Sequence, residues 1–156
     1  MKRSAEEPRA GSVRLEGDVV RFTRRGAVEW SVDLNELALL GELATDRGPY
    51  ADDLVVIFVV RDGRWFELPF DADGADELLV ELARRLDVDT KLQLCNRVDW
   101  VSRVLWPREL AGAPLFDFPP APRNSGWFRG LLDRAVPRFT IELTCEARAR
   151  CSGKTA

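Results

Sequence analysis

The chain has 156 residues, 46% of them apolar and 31% charged, the size and balance of one compact domain rather than of a disordered or membrane-spanning chain. A net charge of −3 argues against a nucleic-acid binder, and the lack of any histidine removes Ser-His-Asp and Cys-His nucleophiles, imidazole acid–base work and most catalytic zinc sites. Three cysteines, Cys95, Cys145 and Cys151, are too few for a disulfide framework and fit a reducing, cytoplasmic setting.

Residues 1–11 are charged, hold no apolar periodicity and read as a flexible leader without a secretory signal. From Ser12 the apolar residues alternate: Val13 and Leu15, then Val20 and Phe22, then Val28, Trp30 and Val32. A period of two places each set on one face of a strand, so three short antiparallel strands are predicted, turning at 17–18 and 24–26. Asp33 and Glu36 suit a capping box on a helical turn, 37–45 reads as a fourth strand, and 46–53 is a polar connection. Asp62-Gly63 lies between an apolar run, 54–60, and a second strand, 64–70, which predicts a hairpin closed by a type I′ turn. The first of these strands is apolar on both faces and belongs in the middle of a sheet; Pro69, lacking an amide donor, marks an edge or a bulge.

Asp73 is the expected N-cap of a helix over 74–86, with Asp76 and Glu77 in its first turn, Arg84 and Arg85 in its last, and Leu78, Leu79, Leu82 and Leu86 on one face. Beyond it, 91–95 reads as a short strand that buries Cys95, and 98–105 as a helix ended by Pro107. The breaker-rich stretch 110–122 reads as a linker that pins Leu115, Phe116 and Phe118 onto the body. The expected organisation is a leader over 1–11, a single α+β domain over 12–118, and a proline-containing linker with a short amphipathic extension over 119–156. Within that extension, 139–143 is a candidate strand and 147–156 reads as frayed. The fold class is α+β: an antiparallel meander or roll of about six to seven strands packed by one amphipathic helix.

Charge divides unevenly, with 16 basic against 23 acidic residues over 1–120 and 7 against 3 over 121–156. Ser152-Gly153-Lys154-Thr155 lacks the earlier glycine of a phosphate loop, having Arg148 there. Residues 71–77 lack carboxylates at the outer positions of a calcium loop, where Pro69 and Val80 stand. Asp46, Asp52 and Asp53 with Glu42 or Glu67 are the one carboxylate group suited to a cation or to acid–base work. Trp30 and Trp65 read as core. Arg103 and Arg108, close in sequence to Trp100 and Trp106, are candidate contacts for an anion. Trp127, Phe128 and Leu131 beside Arg123 and Arg129 are candidate contacts for a partner chain. No catalytic, cofactor-binding or metal-binding residue is assigned.

The run from Ser12 to about Leu86, short antiparallel strands followed by one amphipathic helix, resembles pleckstrin-homology-like domains of bacterial proteins of unknown role. It shows six strands before the helix where that family has seven, and the remainder of the chain has no counterpart there. The resemblance implies a binding or scaffold module. The arginine-rich, lysine-poor basic content points the same way as to source, a GC-rich bacterial genome. The leading functional reading is therefore a non-catalytic interaction domain that binds a protein or a second copy of itself, with no cofactor and no nucleic acid. The alternatives are a peripheral membrane or anionic-ligand module using the basic extension, and a small carboxylate-based enzyme.

Overall fold

The structure is a computed structural model that describes residues 10–46, 54–95, 97, 99–120 and 140–153. The alternating segments form β1 (Ser12–Glu16), β2 (Val19–Arg24) and β3 (Ala27–Asp33), an antiparallel sheet in the order β1-β2-β3. Val13, Val20, Phe22 and Val32 share its buried face. The turn between β2 and β3 holds Arg25 at φ 53° and Gly26 at φ 75°. Two consecutive left-handed residues make this the type I′ turn.

Asp62-Gly63 is not that turn. Only Gly63 has a positive φ, Gly63 N donates to Val60 O at 2.9 Å, and Val60 N donates to Arg64 O at 2.9 Å. The connection is thus a three-residue loop with Gly63 as the left-handed bulge residue. The Asp62 carboxylate accepts Arg64 N at 2.9 Å and Arg64 Nε at 2.7 Å, a closure that leaves Asp62 itself right-handed.

After a 3₁₀ turn at Leu34–Glu36, whose Asp33 cap accepts Asn35 N, the chain enters a second sheet. It contains β4 (Leu37–Ala44), β5 (Leu54–Val60), β6 (Trp65–Pro69) and β7 (Val101–Trp106), all antiparallel, in the order β6-β5-β4-β7. β5 is internal and buried at every position, as its two-sided apolar sequence requires. β7 replaces the helix expected over 98–105. Val104 and Leu105 pack on opposite faces of a sheet covered on both sides, and such burial mimics helical spacing in a short run.

The helix α1 (Ala75–Leu86) buries Leu78, Leu79 and Leu82 against both sheets, with Leu86 half-buried. Its cap is Gly74 rather than Asp73. The Asp73 main chain is committed to β1: Val13 N donates to Asp73 O at 2.8 Å, and Asp73 N donates to Gly11 O at 3.0 Å. At Gly74, φ is 83° and a Cβ would stand 2.5 Å from Val13 O, so only glycine lets the helix start this close to the sheet. On the exposed side of α1, Arg84 and Arg85 both donate to Glu81 and hold its carboxyl down at about 2.

Residues 91–95 form no strand, and Cys95 is exposed. Their main chain is bonded instead to a side chain of β4, Glu42. Of the stretch read as frayed, 147–156, residues 147–151 lie in α2 (Cys145–Cys151), capped by Thr144. It follows β9 (Glu142–Leu143), which pairs with β8 (Phe116–Asp117). Leu143 and Ala147 join Leu39, Leu43, Ile57, Leu115 and Phe116 in a second apolar cluster on the far face of the four-stranded sheet. Through Leu143 and Ala147 the described part of the presumed extension packs into that cluster.

Candidate functional site

A sheet exposes unpaired N–H and C=O groups along its outer strands, and these are either covered or open to a partner. The two main sheets have four such edges. The start of β1 is covered by the connection at 72–74 through the bond from Val13 N to Asp73 O, continued just before the strand by the bond from Asp73 N to Gly11 O. β7 is covered by 111–113: Val104 N donates to Ala113 O at 2.8 Å and Gly112 N to Val104 O at 2.9 Å. Ser102 secures that cover, its Oγ accepting Leu115 N at 3.2 Å and Phe116 N at 2.9 Å.

β3 and β6 lie beside one another. Trp30 of β3 donates its Nε1 to Glu67 O of β6 at 3.1 Å. The indole stands among Phe22, Phe58 and Phe66, at centroid distances of 5.4, 5.6 and 5.7 Å. On β6, the bonds from Val60 N to Arg64 O and from Phe70 N to Leu54 O fix the parity: even-numbered residues face β5, and residues 65, 67 and 69 face outward. Of those, Glu67 O is taken by Trp30, Pro69 has no donor and its carbonyl accepts Ala72 N, so the β6 edge is blocked over 67–69. On β3, the bond from Leu34 N to Asp18 O sets residues 30 and 32 toward β2 and turns the main-chain groups of Ser31 and Asp33 outward. Among the described residues no segment lies on these groups. β3 is the open edge, seven residues long, with Val28 56% exposed on it.

Two shallow depressions flank Phe66 along the seam between β3 and β6. One, of about 380 Å³, is lined by Trp30, Val55, Trp65 and Pro69. The other, of about 220 Å³, lies between Ser31 and Asp33 on one side and Arg61 and Arg64 on the other. Trp65 is held at its depression by an edge-on contact with Phe116, 5.2 Å between centroids.

The two candidate anion contacts, Arg103 and Arg108, each already face a carboxylate of the chain. Arg103 donates to Glu42 from Nε at 2.7 Å and to Lys91 O at 3.0 Å, with its Nη2 2.5 Å from the same carboxylate. Its anion is internal. Arg108 is exposed and bonds Asp87 through O at 2.8 Å and Oδ2 at 3.1 Å. Both arginines line a third depression of about 280 Å³ that also holds Asp89. Glu42 is fully buried and accepts Gln93 N and Leu94 N besides Arg103, which ties down the segment after α1. Among the described residues it does not join a carboxylate group: Asp46 takes the indole N–H of Trp100, and Glu67 lies on β6. Among the described residues no three His, Cys, Asp or Glu side chains gather as a metal site would need. Asp52, Asp53, Arg123, Trp127, Phe128, Arg129 and Leu131 lie outside the described residues. Ser31 and Ser102 carried no signal in the sequence, since an edge is defined by what fails to pair with it.

Comparison with protein-family models, with curated proteins and with solved structures gave no match. No helix among the described residues is long and apolar enough to cross a membrane.

Proposed function

We propose that this protein is a non-catalytic interaction module that takes up an extended segment of a partner protein along β3. One observation carries the reading: among the described residues, the chain's own loops bond to the start of β1 and to β7, β6 is blocked at Glu67 O and Pro69, and the outward main-chain groups of Ser31 and Asp33 on β3 have no segment over them. Main-chain bonds to an added strand supply affinity, and depressions beside the edge receive its alternate side chains and supply selectivity. The seam between β3 and β6 has that arrangement. The pleckstrin-homology-like reading of residues 12–86 rests on the order of six antiparallel strands and then α1. A cytoplasmic setting rests on the three unpaired thiols, two of them exposed.

Ser31→Pro tests the proposal. It removes one outward N–H and leaves the ladder between β2 and β3 intact, since proline is tolerated on an edge strand. Peptides selected from a random library against the full chain should lose binding in Ser31→Pro while the unfolding midpoint stays within a few degrees. Binders indifferent to the substitution, or a selection that yields none, would contradict it.

A further inference from the structure

The depression of about 220 Å³ beside the end of β3 carries charges of both signs and an apolar wall of Val32, Val60 and Phe66, all three members of the same apolar cluster. Part of its charge is engaged. Arg64 stands 2.7 Å from Asp62, and Asp33 Oδ1 accepts both nitrogens of Asn35. Arg61 and Glu36 differ. Their main chains are joined, Arg61 N donating to Glu36 O at 3.0 Å, yet their side chains do not meet, and among the described residues neither has a hydrogen-bonding or ionic partner. One exposed cation and one exposed anion, both unanswered, thus line a small hollow that also holds Ser31, whose main-chain N–H and C=O face outward.

Resting on the reading of β3 as an open edge, we infer that this depression is a binding site for a free α-amino acid with an apolar side chain. An α-ammonium and an α-carboxylate stand on one carbon, and they offer Ser31 the donor and the acceptor that one residue of an antiparallel strand would offer it. The ammonium has Glu36 and Asp33 as counter-charges, and the carboxylate has Arg61, whose planar fork suits two carboxylate oxygens at once. An aliphatic side chain meets Val32, Val60 and Phe66. Size points the same way: about 220 Å³ lies below the ~300 Å³ from which pockets for drug-sized ligands begin. A peptide terminus brings only one of the two charges and leaves either Arg61 or Glu36 unanswered, which favours the free amino acid.

L-leucine, L-leucinamide and N-acetyl-L-leucine, titrated into the full chain while NMR follows the amides of Ser31, Val32 and Arg61, test this. Leucine should shift those signals to saturation, and each analogue, lacking one charge, should bind roughly fivefold more weakly, the upper range for an exposed ion pair. Arg61→Met should weaken leucine by about the same factor and leave leucinamide unchanged, whereas Glu36→Gln should weaken leucine and leave N-acetyl-leucine unchanged. Equal binding of the three compounds, or indifference of leucine to both substitutions, would overturn the assignment. Failure of leucine to bind a chain that still takes up a peptide along β3 would overturn it too and leave the docking edge standing. Uptake of neither would overturn both readings.

Discussion

Glu42 sits in the middle of a run of apolar residues on β4, and its sequence context gives no sign of what it does there. In the fold it is the hub of the segment that follows α1, accepting two main-chain amides and the Arg103 guanidinium while fully buried. A buried carboxylate is tolerated only when such partners replace its water. Glu42→Leu alone strands the Arg103 charge and two amide donors, and should cost about 3 kcal/mol in urea unfolding. That figure sits at the low end of the range for broken buried pairs because the Arg103 side chain keeps 20% of its surface exposed. Glu42→Leu combined with Arg103→Met should recover part of the loss, because no uncompensated charge remains. A double variant as unstable as the single one would show that the amides matter more than the ion pair.

At the scale of elements, strands with one buried face were legible and those with two were partly disguised. β1 to β3 follow from simple alternation, and β5 from its unbroken apolar run, because burial on one or both sides leaves that mark directly. β7 was not legible: Val101, Val104 and Leu105 fit a helical face as well as a strand, and the choice is made by pairing with β4 some sixty residues earlier. The helix cap moved by one residue for a similar reason, since Asp73 is drawn into a bridge with Ser12 that no local pattern encodes. The cover on β7 depends on Ser102. Ser102→Ala leaves the amides of Leu115 and Phe116 without their acceptor, and a loss of about 1–3 kcal/mol is expected in denaturant unfolding. A neutral result would mean that the 111–117 segment is held by Leu115 and Phe116 packing alone.

For the molecule as a whole, the four-stranded sheet lies between two apolar clusters, one shared with β1 to β3 and α1, the other closed by β8, β9 and α2. The class of fold, antiparallel α+β, was readable from element types, whereas the division into two sheets and the return of residues 140–153 to the core were not, because both are set by long-range pairing. The proposed site was legible only in outline. An exposed sheet edge was foreseeable from the strands, but which of the four stays open depends on loops at 72–74 and 111–113 and on where the indole of Trp30 points. Amide hydrogen exchange on the free protein reads that directly, residue by residue. The amides of Ser31 and Asp33 should exchange quickly while those of Trp30 and Val32, bonded to β2, stay protected. Equal protection of all four would mean that β3 is already covered in the free protein, and the account of β3 as an open edge would be wrong.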